Sequence, residues 1–212
     1  MMDKYESKVI QDGLRAFAKH VPALTRYGED IEVLDFRKPG TFFYGFRAVF
    51  DRGCANNVYI SGDIGEAVVY PTCEASLGGM AECFTSRGRD GGVRVNCGYF
   101  LEKVCASSDR YVWSREDFLE DFKEKCRGLD EERKGREWIK NHLDAFYPGV
   151  EVDTLRGVTL DDDAKSDLRE INYEYHYWVY ECGRRVSVRV ILWLLAMRLA
   201  WEALEAKEGG AK

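Results

Sequence analysis

Between Tyr5 and Val21 the apolar residues Ile10, Leu14, Phe17, Ala18 and Val21 recur at helical spacing. That pattern predicts an amphipathic helix over 5–21, which Pro22 should end. The period then shortens to two. The segments 31–36 (IEVLDF) and 41–50 (TFFYGFRAVF) flank Arg37-Lys38-Pro39-Gly40, where proline presets φ and glycine accepts a tight turn, so a hairpin is expected. In its second strand Phe42, Tyr44, Phe46, Ala48 and Phe50 share one face and are assigned to the core; Phe43, Gly45, Arg47, Val49 and Asp51 share the other. Two further strands, 57–61 (NVYIS) and 66–70 (EAVVY), surround Gly62-Asp63-Ile64-Gly65. The prediction is an antiparallel meander of about four strands.

After Pro71 the periodicity becomes helical. Leu77 to Phe84 fits a short helix, and 86–92 (SRGRDGG) a glycine-rich loop. Ser114 is placed to cap a helix beginning SREDFLEDFKEKC, its hydroxyl accepting the amide of Asp117, with Trp113, Phe118, Leu119 and Phe122 as the buried side. A further helix is expected from Asp130 to Phe146, stopped by Pro148-Gly149, followed by an acidic connector at 160–167. The aromatics of 171–183 (INYEYHYWVYECG) fit helical spacing and strand alternation almost equally; the helical flanks favour a helix. Val190 to Leu204 carries only Arg198 and Glu202 as polar residues. As a helix it rises about 22 Å, short of the roughly 30 Å of a bilayer core, so it should be buried nearly all round, either across the sheet or in an oligomer interface. The fold class is α+β: the meander with helices packed on one face and a buried C-terminal helix. One domain over 1–212 is expected, with a helix at 5–21, the sheet at 31–70 and a helical part at 75–207.

Composition sharpens this only at the margins. A chain of 212 residues that is 45% hydrophobic can bury a substantial core. The formal charge of −6, from 37 acidic against 31 basic residues, argues against extended nucleic-acid binding and leaves room for a small basic patch. The N-terminus has no apolar stretch behind positive charge, so no export signal is expected. Seven cysteines, without a CxxC pair, are expected to be reduced thiols in a cytoplasm; His20, His142 and His176 lie far from any paired ligand spacing, so no metal or cofactor is expected.

Candidate chemistry is thin. Asp63 in the SGDIG turn could present a carboxylate or simply cap amides, and the turn lacks the lysine and helix start of a phosphate loop. Arg87 and Arg89, among glycines, could grip phosphate or stand in solvent. Asp161, Asp162 and Asp163 lack the ligand spacing of a calcium loop, because Ser166 stands where its glycine belongs. No nucleophile elbow or zinc-protease motif is present, so no catalytic residue is assigned.

Three stretches resemble a family of uncharacterised proteins encoded by bacteriophages and prophages: 57–70 (NVYISGDIGEAVVY), 98–108 (GYFLEKVCASS) with Trp113 shortly after, and 192–204 (LWLLAMRLAWEAL). The second resembles a helix in that family and the third its closing apolar helix. The segment 71–97 is longer and more polar than the family pattern. The resemblance implies a cytoplasmic accessory protein of an infected or lysogenic bacterial host. Such a protein is expected to bind a host protein or ribonucleoprotein defence complex and inhibit it, an anti-CRISPR protein being one form. The candidate contacts are Glu116, Glu120, Asp121 and Glu124, or Asp161 to Asp163, standing in for phosphates. The alternatives are a scaffold module for phage replication or recombination and a small enzyme with a noncanonical site.

Overall fold

The computed structural model describes residues 4–53, 55–107, 109–126, 129–142, 162–175 and 179–210. The chain forms two compact units within the span expected to be one domain: Met1–Ser108 with Val188–Lys212, and Asp109–Ser187 between them in sequence.

The first unit is built on a six-stranded antiparallel sheet, ordered β1 (Val21–Tyr27), β2 (Ile31–Arg37), β3 (Phe46–Asp51), β4 (Asn57–Gly62), β5 (Ala67–Val69) and β8 (Val104–Ser107). Leu34, Ala48, Ile60 and Ala67 align across four strands and are buried, flanked by Phe36 opposite Phe46 and by Phe50 opposite Val58. The alternation read from sequence therefore sets the core face from Phe46 onward.

The covering helices are α1 (Lys4–Phe17), α2 (Leu77–Phe84), α3 (Cys97–Lys103) and α7 (Val188–Gly209). In α7 every residue from Val190 to Met197 is buried, which meets the expectation of a helix surrounded by protein. Its Trp193 indole donates to the Ile64 carbonyl at 2.9 Å, tying the helix to the β4–β5 turn. Among the described residues no helix is long and apolar enough to cross a membrane.

Four expectations need correction here. The first helix ends at Phe17, not Val21, and Val21–Tyr27 is a strand: the residue before proline prefers extended backbone, and Pro22 is tolerated because β1 is an edge strand. The second strand of the hairpin starts at Phe46, so Phe42 and Tyr44 leave the core face; Phe42 is 76% exposed. The segment 98–108 changes from helix to strand at Val104, because β8 pairs with the open edge of β5. The loop expected at 86–92 is shorter, 88–92: Ser86 and Arg87 belong to β6 (Thr85–Arg87), which pairs with β7 (Val93–Val95) on the far side of it.

In the second unit β9 (Tyr111–Trp113) pairs antiparallel with β10 (Arg184–Val186), so the segment begins and ends in one ladder. Between them lie α4 (Arg115–Lys125), α5 (Leu129–His142) and α6 (Asp162–Ile171). Ser114 caps α4 as expected, its hydroxyl accepting from Asp117 N at 3.0 Å. Phe118, Phe122 and Trp138 stack in succession at centroid distances of 5.7 and 5.2 Å, and the Trp138 indole donates to Ala164 O. In place of the continuous helix favoured for 171–183, the described residues leave α6 at Ile171, turn, and form a 3-10 turn at Val179–Glu181 before β10; Tyr173 is exposed and Tyr175 buried. Residues 176–178 lie outside the described residues, as do the Pro148-Gly149 stop and Phe146.

Candidate functional site

Divided between the two units, the formal charge is uneven. Residues 109–187 hold 20 acidic and 14 basic side chains, whereas 1–108 with 188–212 balance 17 against 17. The whole excess of −6 therefore sits in the inserted unit.

Within that unit α4 carries Glu116, Glu120 and Glu124 one turn apart on an exposed face. Glu116, in the first turn, is further favoured by the helix dipole. Asp121 differs from them. Its half-buried carboxylate accepts from Gly183 N at 2.8 Å and from both terminal nitrogens of Arg185 at 2.7 and 2.9 Å, with Asp117 3.7 Å from the same guanidinium. Burial pushes the Asp121 carboxyl up, but the Arg185 and Gly183 hydrogen bonds outweigh it and hold the group below its ordinary value. Asp121 thus joins α4 to β10, and the exposed residues of α4 are the three glutamates together with Arg115, Lys123 and Lys125. At the start of α6, Asp162 and Asp163 are exposed; Asp162 meets Lys165 at 3.2 Å. Asp161 lies outside the described residues.

The loop candidates are largely absorbed by packing. Asp63 accepts Tyr44 N at 2.7 Å and its own amide donates to Gly45 O at 2.9 Å, so it caps the neighbouring β2–β3 loop. Arg87 makes a bidentate pair with Glu202 and donates to Gly91 O; Arg198 holds Glu202 from the other side at 2.6 Å. Chiefly through Arg87, the Glu202 carboxyl stays below its usual range. Arg89 stands exposed in the β6–β7 turn.

No activated thiol emerges from the described cysteines whose titration is shifted. Burial pushes Cys97 and Cys182 up to about 12, and Cys73 reaches about 12 through burial and a hydrogen bond with the Cys83 thiol. His142 meets Asp167 at 2.8 Å, and His20 sits between the Phe17 and Phe36 rings with Nε2 3.2 Å from Tyr44 O. His176 and Cys54 lie outside the described residues.

No family model, no curated protein and no solved structure matches the chain.

Two features escape the pattern of the sequence. Glu32 is buried on the inner face of the sheet, 3.2 Å from Arg26 and 3.9 Å from Arg52, and accepts Leu77 N at the start of α2. Its signal is positional: it occupies the same face as Leu34 and Phe36, where a carboxylate is admitted only with charged or amide partners. The other is the loop 38–45. Phe42-Phe43-Tyr44 places three aromatics in succession, and strand alternation cannot bury all three.

Proposed function

We propose that this protein is a phage- or prophage-encoded binding protein that blocks a defence complex in the cytoplasm of its bacterial host, an anti-CRISPR protein in its simplest form. The acidic unit 109–187 supplies the contact. Concentration of the entire net charge in one inserted unit is the observation that carries this reading. A segregated acidic surface raises encounter rates with a basic groove and competes there with nucleic acid, while a neutral companion unit adds no repulsion. The exposed Glu116, Glu120 and Glu124 of α4 and Asp162 and Asp163 of α6 present carboxylates where a bound strand would present phosphates. The resemblance to phage proteins supplies the context.

The test is plasmid interference in hosts carrying different CRISPR or other defence systems, with and without this gene. Restored plasmid establishment against at least one system, at stoichiometric protein, is the expected outcome. Inactivation of the target at substoichiometric amounts would instead point to an enzyme.

A further inference from the structure

Phe42 and Phe43, at 76% and 69%, are the most exposed large hydrophobic side chains among the described residues. They do not sit on a slack loop. Tyr44 takes the left-handed conformation at φ +57°, which residues other than glycine seldom adopt. Three contacts hold it there: Tyr44 N donates to Asp63 Oδ2 at 2.7 Å, Gly45 N to Phe42 O at 2.7 Å, and His20 Nε2 lies 3.2 Å from Tyr44 O. The neighbouring turn is fitted to the same loop. Gly62, at φ +123°, lies so close that a Cβ would come within 2.4 Å of Gly45 O. Backbone strain that is held in place and ends in two solvated rings points to a presented surface.

The charges beside the rings resolve unevenly. Asp35 and Arg47 cancel in a bidentate pair at 2.8 Å, and Asp63 keeps its charge while accepting from the Tyr44 amide. Arg37 and Lys38 remain exposed, and the Arg37 guanidinium lies 5.3 Å from the centre of the Phe42 ring. A half-open hollow of about 220 Å³ beside Phe42, room for one flat ring, is lined also by Gly45, Gly62, Arg37, Asp63 and the Asp35–Arg47 pair.

We propose that this loop is a contact for single-stranded nucleic acid, one base stacking on Phe42 or Phe43 while Arg37 and Lys38 meet the flanking phosphates. Two exposed cations, one of them stacked on the Phe42 ring, match the alternation of phosphate and base. An acidic peptide would need an aromatic residue at the right spacing to fill the hollow, whereas every nucleotide carries a flat ring beside its phosphate. The contact covers one or two nucleotides, in keeping with a chain whose net charge argues against extended binding. It deepens the proposed blockade and rests on it for the source of the strand: a ribonucleoprotein target offers basic protein to the acidic unit and a bound strand to this loop.

Direct binding by the protein alone tests the inference without any defence complex, so its failure and that of the proposed function are separable. The readout is fluorescence anisotropy of labelled oligothymidylate and oligouridylate about ten nucleotides long at roughly 50 mM salt, where phosphate contacts are strongest. Saturable binding is expected, its log affinity falling with log salt at a slope of about −1.4 for two phosphates. Phe42→Ala with Phe43→Ala should weaken it about tenfold or more. Arg37→Glu with Lys38→Glu should abolish most of the salt dependence. All four side chains are exposed, so an unchanged melting curve verifies the fold of each variant. Absence of saturable binding, undiminished binding by the double alanine variant, or binding of an oligoglutamate probe in place of the oligonucleotides overturns the proposal.

Discussion

At the scale of single residues, close packing and charge pairing make opposite demands that can be measured. Gly13 lies on α1 where a Cβ would stand 2.6 Å from Leu195 Cδ2 and 2.8 Å from Leu192 Cδ2, both buried on α7. Glycine to alanine inside a helix ordinarily gains up to about 1 kcal/mol, but overpacking costs about 1–3 kcal/mol. Gly13→Ala should therefore lower the melting temperature, while Gly98→Ala in α3, with nothing within 4 Å, should leave it level or raise it. Thermal denaturation of the two variants distinguishes them. Asp121 provides a second case. Its folded pKa is depressed, as are those of Asp35, held down chiefly by Arg47, and Glu202, held down chiefly by Arg87. A carboxyl with a depressed folded pKa contributes stability above its unfolded value, and that contribution disappears as pH falls through the folded value. Stability should hold from neutrality to about pH 5 and decline below about pH 4. Asp121→Ala leaves the largely buried Arg185 without its main partner and should cost about 2 kcal/mol at neutral pH, with a shallower acid decline, as read by urea unfolding.

At the scale of elements, α7 is the piece on which the first unit depends. Leu195 is fully buried, so Leu195→Ala should cost about 2–5 kcal/mol in denaturant unfolding. A variant that kept its stability and changed only its oligomeric state would show α7 to be an interface. The helix was legible because eight consecutive buried positions leave an unbroken apolar run, and the cap of α4 because a serine hydroxyl acts within four residues. Strands β3, β4 and β5 were legible through alternation, from Phe46 to Val69. What failed was mostly non-local. β8 exists through pairing with β5, far along the chain, and the helical spacing before Val104 does not announce it; β1 pairs with the adjacent β2, but Pro22 and the apolar spacing into Val21 conceal that hairpin. Phe42 and Tyr44 were misplaced because the carboxylate that turns the chain at Tyr44 comes from Asp63, in the neighbouring β4–β5 turn. Of the candidate site, the exposed glutamates of α4 were readable from spacing, whereas the commitment of Asp121 to Arg185 and of Arg87 to Glu202 required the folded chain.

At the scale of the whole molecule, the proposed blockade divides two kinds of contact between the two units. An acidic unit drawn to a basic groove should act mainly on association, so charge reversal at Glu116, Glu120 and Glu124, or at Asp162 and Asp163, should slow binding more than it speeds release, and added salt should act in parallel. Reversal of Asp121 is set aside from this series because it would disturb the fold. The most direct test of the blockade is plasmid interference against a defence system that the wild-type protein inhibits, repeated with both reversed surfaces combined in a variant whose melting curve is unchanged. Protection by the wild-type protein that is lost in the reversed variant is the predicted result; no protection against any system tested, or protection that survives the reversal intact, would contradict it.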